Sequence, residues 1–215
     1  ILAEDPENID AWLEAGHTYR SLGNADKAVD MHMRARALDP DDPRVQEALA
    51  ADLEALGEYG RAVNHVNQLL ASTAKPDPRL YAWLRDLLAR ANRWDEAEQA
   101  QDKRLKLLKD GALRADEESV LRGLRFERGA ALLASGEEND LKEAVKLFES
   151  LVKADVQFVP GYLSLGDALL AAGDSDGAVK TWETGVDVTH SLPLLDHLIQ
   201  HYLASGEPES AIQTY

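Results

Sequence analysis

Apolar residues recur along this chain at helical spacing, in blocks that each hold two amphipathic stretches and a tight turn. In the first block, Ala11 to Pro40, the leading helix is marked by Trp12, Gly16 and Tyr19 and the second by Ala28. Gly16 and Ala28 lack bulk where the two helices would cross, so Trp12 and Tyr19 are expected to fill the space around that contact. Gly23 suits the left-handed turn that ends the first helix, and Pro40, without an amide hydrogen, stops the second. A second block starts at Pro43, with Leu49, Leu53, Gly57 at the turn and Ala62 at the crossing. A third starts near Pro78, with Tyr81, Leu84, Leu88, Trp94 and Ala97. The crossing alanines Ala28, Ala62 and Ala97 lie 34 and then 35 residues apart, which sets the period.

The fourth block departs from this period. The second helix of block three is expected to run through Leu105 and Leu108 and stop at Asp110-Gly111. An extra stretch, Ala112 to Ser119, then feeds a longer helix ending near Ser135-Gly136, and the turn from Gly136 to Ala144 reads as longer than the others. Ala144, Phe148 and Leu151 restore the pattern, with the first-helix register open by one residue. Block five is regular again through Tyr162, Leu165, Gly166, Leu169, Gly173, Ala178 and Trp182, and block six carries Leu198, Tyr202, Gly206 and Ala211. Strand signals are absent.

The spacing of Trp12, Gly16, Tyr19, Ala28 and Pro40 resembles the tetratricopeptide repeat, although Ala15 stands where that pattern prefers Leu. The resemblance implies an all-α fold, a right-handed superhelical solenoid of helix-turn-helix repeats, as a single array over residues 1–215. Residues 1–8 would close a preceding repeat. Repeats would follow at about 9–42, 43–77, 78–111, an irregular 112–158, 159–191 and a truncated 192–215. No polar-faced cap is legible at either end, so the sequence reads as a piece of a longer protein.

Composition narrows the function classes. The chain has 45% apolar and 29% charged residues, no Cys and a net charge of −16. Disulfides and thiolate metal sites are excluded, and the chain has no apolar run of membrane-spanning length. Residues 1–74 carry a net −8, residues 75–128 a net +2 and residues 129–215 a net −10. Acidic flanks around a mildly basic centre argue against nucleic acid, which requires clustered Lys and Arg. Phosphate loops and the common hydrolase motifs are absent, so no catalytic residues are assigned. His197 and His201 stand at i, i+4 and would supply two imidazole ligands, too few for a firm metal site, so no metal or cofactor is expected in this segment.

The run Gly16 to His32 (GHTYRSLGNADKAVDMH) is similar to the early repeats of the lipopolysaccharide assembly protein B family, with His17 in place of a usual Asn. That resemblance implies a bacterial protein anchored at the inner membrane, with its repeats in the cytoplasm and a rubredoxin-like metal module elsewhere. It also implies an adaptor that helps a membrane protease degrade the deacetylase committing carbon to lipid A. The alternative is a generic repeat scaffold in an unrelated complex.

Arrays of this kind line a concave groove with fixed positions of each first helix. By register these are His17 and Arg20, Arg44, then Arg79 and Arg90, and further on Leu163, Asp167, Leu170, Asp196 and Leu203. A protein partner is expected there, with neither nucleic acid nor membrane insertion. The arginines would draw an anionic segment, unless they pair with neighbours such as Glu47, Glu54 and Asp86.

Overall fold

A computed structural model describes residues 5–214 of the chain. The fold is all-α, a solenoid of helix-turn-helix repeats, with twelve helices among the described residues. They fall into two compact units, residues 1–118 and 119–215. In the first unit α1 (Ile9–Ser21) pairs with α2 (Ala25–Leu38), α3 (Pro43–Ala55) with α4 (Tyr59–Ala71), and α5 (Pro78–Arg90) with α6 (Trp94–Leu107). Each helix packs on its neighbours in the chain, and α1 also meets α3, the step by which successive pairs stack. In the second unit α8 (Glu138–Ala154), α9 (Val159–Ala171), α10 (Ser175–Thr189), α11 (Leu192–Ala204) and α12 (Pro208–Thr214) pack in sequence. The unit boundary falls inside α7 (Gly111–Ser135).

Local chemistry starts and stops these helices. Asn8, Asn24, Asp42, Asp77, Asp174 and Ser191 each accept a backbone N–H of the first helical turn, and Pro43 and Pro78 occupy first positions where an amide hydrogen would be unused. The three-residue turn after α1 needs a left-handed residue, and Gly23 supplies it at φ 75°. The same turn after α5 is made by Asn92 at φ 57°, a residue that tolerates this region better than most.

The crossing alanines Ala28, Ala62, Ala97, Ala144 and Ala178 are all completely buried. What fills the contact beside them differs from the sequence expectation. Trp12 and Tyr19 are only half-buried. The space over Gly16 is taken by the imidazole of His32, which a Cβ on Gly16 would overlap. The same exchange recurs with Gly166 under the indole of Trp182 and Gly129 under the ring of Phe148. A small residue on the first helix thus admits one large ring from the second. Trp12 instead donates its indole N–H to the Pro6 carbonyl (2.8 Å) and lies beneath the Arg34 guanidinium.

The irregular fourth block is resolved differently from its sequence reading in three respects. Helix α6 ends at Leu107, with Leu108 extended, short of the Asp110-Gly111 stop. The stretch 112–119 is no separate insert, because α7 is continuous over 25 residues from Gly111, its first turn held by Asp110 accepting from Ala112 N–H (2.8 Å). The turn after α7 is not long either. Only Gly136 and Glu137 separate α7 from α8, and the additional residues extend α8 to 17.

The early start of α7 places Glu117 against α5 and α6. Its carboxylate accepts from Arg104 (2.6 Å), Arg85 (3.4 Å) and Gln101 Nε2 (2.9 Å), and Gln101 is fully buried. The Arg104 hydrogen bond holds the Glu117 carboxyl below the usual glutamate range, against a smaller opposing effect of burial. A carboxylate depressed in the fold contributes stability at neutral pH, and that contribution is lost as pH falls through its folded value. Glu117→Gln should therefore cost about 1–2 kcal/mol at pH 7. The difference from wild type should shrink below about pH 4.3, where the unfolded carboxyl protonates. Urea titrations at pH 7 and at acid pH measure both, and an equal difference at the two would show that the ion pairs contribute nothing.

Candidate functional site

One face of the first unit holds a groove of about 750 Å³ between the first helices of successive pairs. Helix α1 contributes Asp10, Leu13, Glu14, His17 and Arg20, α3 contributes Arg44, Glu47, Ala48 and Ala51, and α5 contributes Trp83. These residues face one way because they recur at three- and four-residue steps along their helices. Leu13 and Ala48 are buried in the floor, continuous with Val45 and Leu49 of the core.

Every groove arginine expected from the sequence is already held by a carboxylate. Arg20 reaches the fully buried Asp52 (3.0 Å) and the Ala48 carbonyl (3.2 Å). The other oxygen of Asp52 meets Nδ1 of His32, also fully buried, whose Nε2 faces the Leu13 carbonyl at 3.2 Å. Arg44 is gripped twice, by Asp42 (2.7 Å) and by Asp10 of α1 (2.7 Å). Its guanidinium in turn holds the Asp42 carboxyl below the usual aspartate range. Arg79 pairs with Asp77 (2.6 Å) and Arg90 with Glu54 (3.2 Å), and neither lines the groove. Of the partners foreseen in the sequence, Glu54 takes Arg90, whereas Asp86 is taken by Arg85 (2.7 Å).

His17 lies edge-on to His32, ring centroids 5.1 Å apart. Burial, then the neighbouring His32 and Arg20, lower its pKa from the ordinary histidine value, so it is neutral at pH 7. Glu14 and Glu47 stand exposed on the groove's edges, and among the described residues neither carboxylate has a hydrogen bond or ion pair.

The remaining sequence-derived positions lie in the second unit. Leu163 is half-buried against the Trp182 cluster, and its carbonyl accepts the Trp182 indole N–H at 3.3 Å. Asp167 meets Nε2 of His197 at 3.0 Å. Leu170 on α9 and Leu203 on α11 are exposed, 40% and 52%, and Asp196 on α11 is exposed as well. The rings of His197 and His201 both pack against Trp182, at 4.8 and 5.0 Å. Among the described residues no group of three or more His, Cys, Asp or Glu side chains is placed to hold a metal ion. No described helix is long and apolar enough to cross a membrane.

The sequence reading missed Asp10, Glu14, Glu47, Ala48 and Trp83 as groove residues and the buried His32–Asp52 pair beneath them. Asp52 carried a signal, since it is a carboxylate between Leu49 and Leu53 on an otherwise apolar face. His32 carried another, lying 16 residues after Gly16 as Trp182 lies 16 after Gly166.

Comparison with known proteins gives matches to family models described as tetratricopeptide repeat at residues 1–51 and 130–187. Human tetratricopeptide repeat protein 13 is 30% identical over 174 residues, covering 78% of this chain and 18% of its own length. Anaphase-promoting complex subunit 7 of Arabidopsis thaliana is 28% identical over 90 residues, 42% of this chain and 16% of its own. The chain thus spans less than a fifth of the length of either relative. Among solved structures, the crystal structure of MamA protein superposes with a TM-score of 0.50 at 17% identity, covering 85% of this chain and 92% of that one, a likeness of fold.

Proposed function

Since the chain is built from tetratricopeptide repeats, we propose that it is a non-enzymatic adaptor that holds an extended segment of a protein partner in the first-unit groove. The observation that carries this reading is the groove itself, an open cleft lined from three successive first helices by side chains of mixed polarity over a buried apolar floor. Such a surface offers backbone-length contact plus side-chain selection, which is how extended peptides are held. Its lining includes no Ser, Thr or Cys to act as a nucleophile, and its one imidazole, His17, contacts another histidine.

The narrower reading places this adaptor in control of lipopolysaccharide synthesis, presenting the deacetylase to a membrane protease. It is supported by the Gly16–His32 run alone, and it carries with it a cytoplasmic location beside the bacterial inner membrane. A general scaffold in another multiprotein assembly is the second reading, favoured by the relative named as a subunit of the anaphase-promoting complex.

Ala51→Arg, which puts a long cation into the groove from a half-buried lining position, tests the first reading. Binding of purified deacetylase and of the protease's cytosolic region should fall by about tenfold or more in this variant, the equivalent of about 1.4 kcal/mol. Lys142→Glu on the exposed face of α8 should leave it unchanged. Unaltered binding in Ala51→Arg would remove the groove as the site, and wild-type binding to neither protein would leave the general scaffold.

A further inference from the structure

The arginines of the first-unit groove suggest from sequence a site for acidic segments, but the geometry points to the opposite: we infer that this groove takes a cationic segment, Lys or Arg residues flanking an apolar one, from a protein partner. The inference rests on the reading of the groove as the partner site and specifies what enters it.

Two guanidiniums, Arg20 and Arg44, line the groove, and each is already hydrogen-bonded to carboxylate. Arg44 is shared between Asp42 and Asp10, two negative charges around one positive, so that corner is acidic in sum. Arg20 is paired with Asp52, and the same Nη1 also reaches the Ala48 carbonyl. Glu14 and Glu47 then remain with no cation bound to them. Five carboxylates thus stand against two guanidiniums, and a proton on His32 beneath the floor would offset only one of the three in excess. Arg79 feels the field of Glu47, yet its own guanidinium is committed to Asp77. His17 adds nothing to the positive side, because its burial keeps it neutral at pH 7.

An incoming anion would find only guanidiniums whose charge a carboxylate already offsets, while facing the two free glutamates. An incoming ammonium or guanidinium meets those glutamates directly, at exposed positions that lose little solvation on pairing. Between them Leu13, Ala48 and Ala51 form an apolar strip, closed by Trp83, whose indole N–H is already given to Glu54 (2.6 Å). That leaves the strip to accept an apolar side chain between the flanking cations. Charge at the rim governs capture and selectivity, and the strip governs residence.

The test uses the whole 215-residue chain and three fluorescein-labelled octapeptides identical except that their charged positions are Lys, Glu or Gln around a central Leu pair, read by anisotropy. The Lys peptide should bind about tenfold or more tightly than the Glu peptide in low salt, and the gap should narrow as salt screens contacts beyond about 8–10 Å. Glu14→Lys with Glu47→Lys should reverse the order of the two peptides. Both side chains are exposed and unpartnered, so the fold should survive, which circular dichroism checks. Tighter binding of the Glu peptide, weakened by Ala51→Arg, would overturn the cationic assignment and keep the groove. Lys-peptide binding that ignores both the double reversal and Ala51→Arg would overturn the groove itself. Absence of binding by all three peptides also overturns the inference.

Discussion

Trp182→Ala should destabilise the second unit by about 3–5 kcal/mol, the cost of emptying a fully buried aromatic site. The indole is completely enclosed, among Tyr162, Ala178, Leu194, Leu198 and Tyr202, with the rings of His197 and His201 packed against it at steep angles. It fits only because Gly166 across from it has no side chain. The partner substitution therefore has a sign that depends on the tryptophan. Gly166→Ala in the wild-type chain should cost about 1–3 kcal/mol, since its Cβ would overlap the indole and the indole has nowhere to retreat. In the Trp182→Ala background the same substitution should be neutral or stabilising by up to about 1 kcal/mol, because the clash is gone and Ala favours the helix over Gly. Urea unfolding followed by far-ultraviolet circular dichroism completes the cycle. If Gly166→Ala costs the same in both backgrounds, glycine and indole do not share the contact.

The exchange of a small residue on one helix for a ring on the next shows how far the sequence could be read. Period, crossing alanines and turn glycines follow from short-range rules, because each repeat packs mainly on its neighbours and the same constraint returns every 34 or so residues. Ala28, Ala62, Ala97 and Ala178 could be placed for that reason. Which ring fills the space is a pairing between helices, and Trp12 was assigned a place that His32 occupies. The fourth block failed for another reason. Helix-forming residues from Ala112 to Ser119 are compatible both with an insert and with an early helix start, and what decides is Glu117 meeting Arg85 and Arg104 on other helices. The candidate site was legible in position and not in charge. Register placed His17, Arg20 and Arg44 on the first helices. It could not reveal that Asp52 lies buried under Arg20 or that Asp10 reaches Arg44 from the preceding repeat, contacts across 32 and 34 residues.

Asp52→Ala should cost about 3 kcal/mol, the low end of what removing one partner from a buried ion pair costs. The low end applies because Arg20 is 31% exposed and can turn its guanidinium to water, whereas His32 is fully buried and cannot. The loss would fall on the imidazole, left under Gly16 with one nitrogen facing no acceptor, and on the void where the carboxylate stood. Replacing both buried partners, Asp52→Leu with His32→Leu, removes the unsatisfied groups and refills the volume, and should recover at least half of the deficit. The two variants also separate stability from recognition. In both, Arg20 is released from its carboxylate and faces the groove as an unpaired cation, so the Lys octapeptide should bind several-fold more weakly below the unfolding range of each variant. Thermal unfolding and peptide anisotropy on the same samples give both quantities. A double variant as unstable as Asp52→Ala would show that His32 and Asp52 are not one polar unit. Unchanged Lys-peptide affinity in a folded double variant would show that the Arg20–Asp52 pair does not set the charge of the groove.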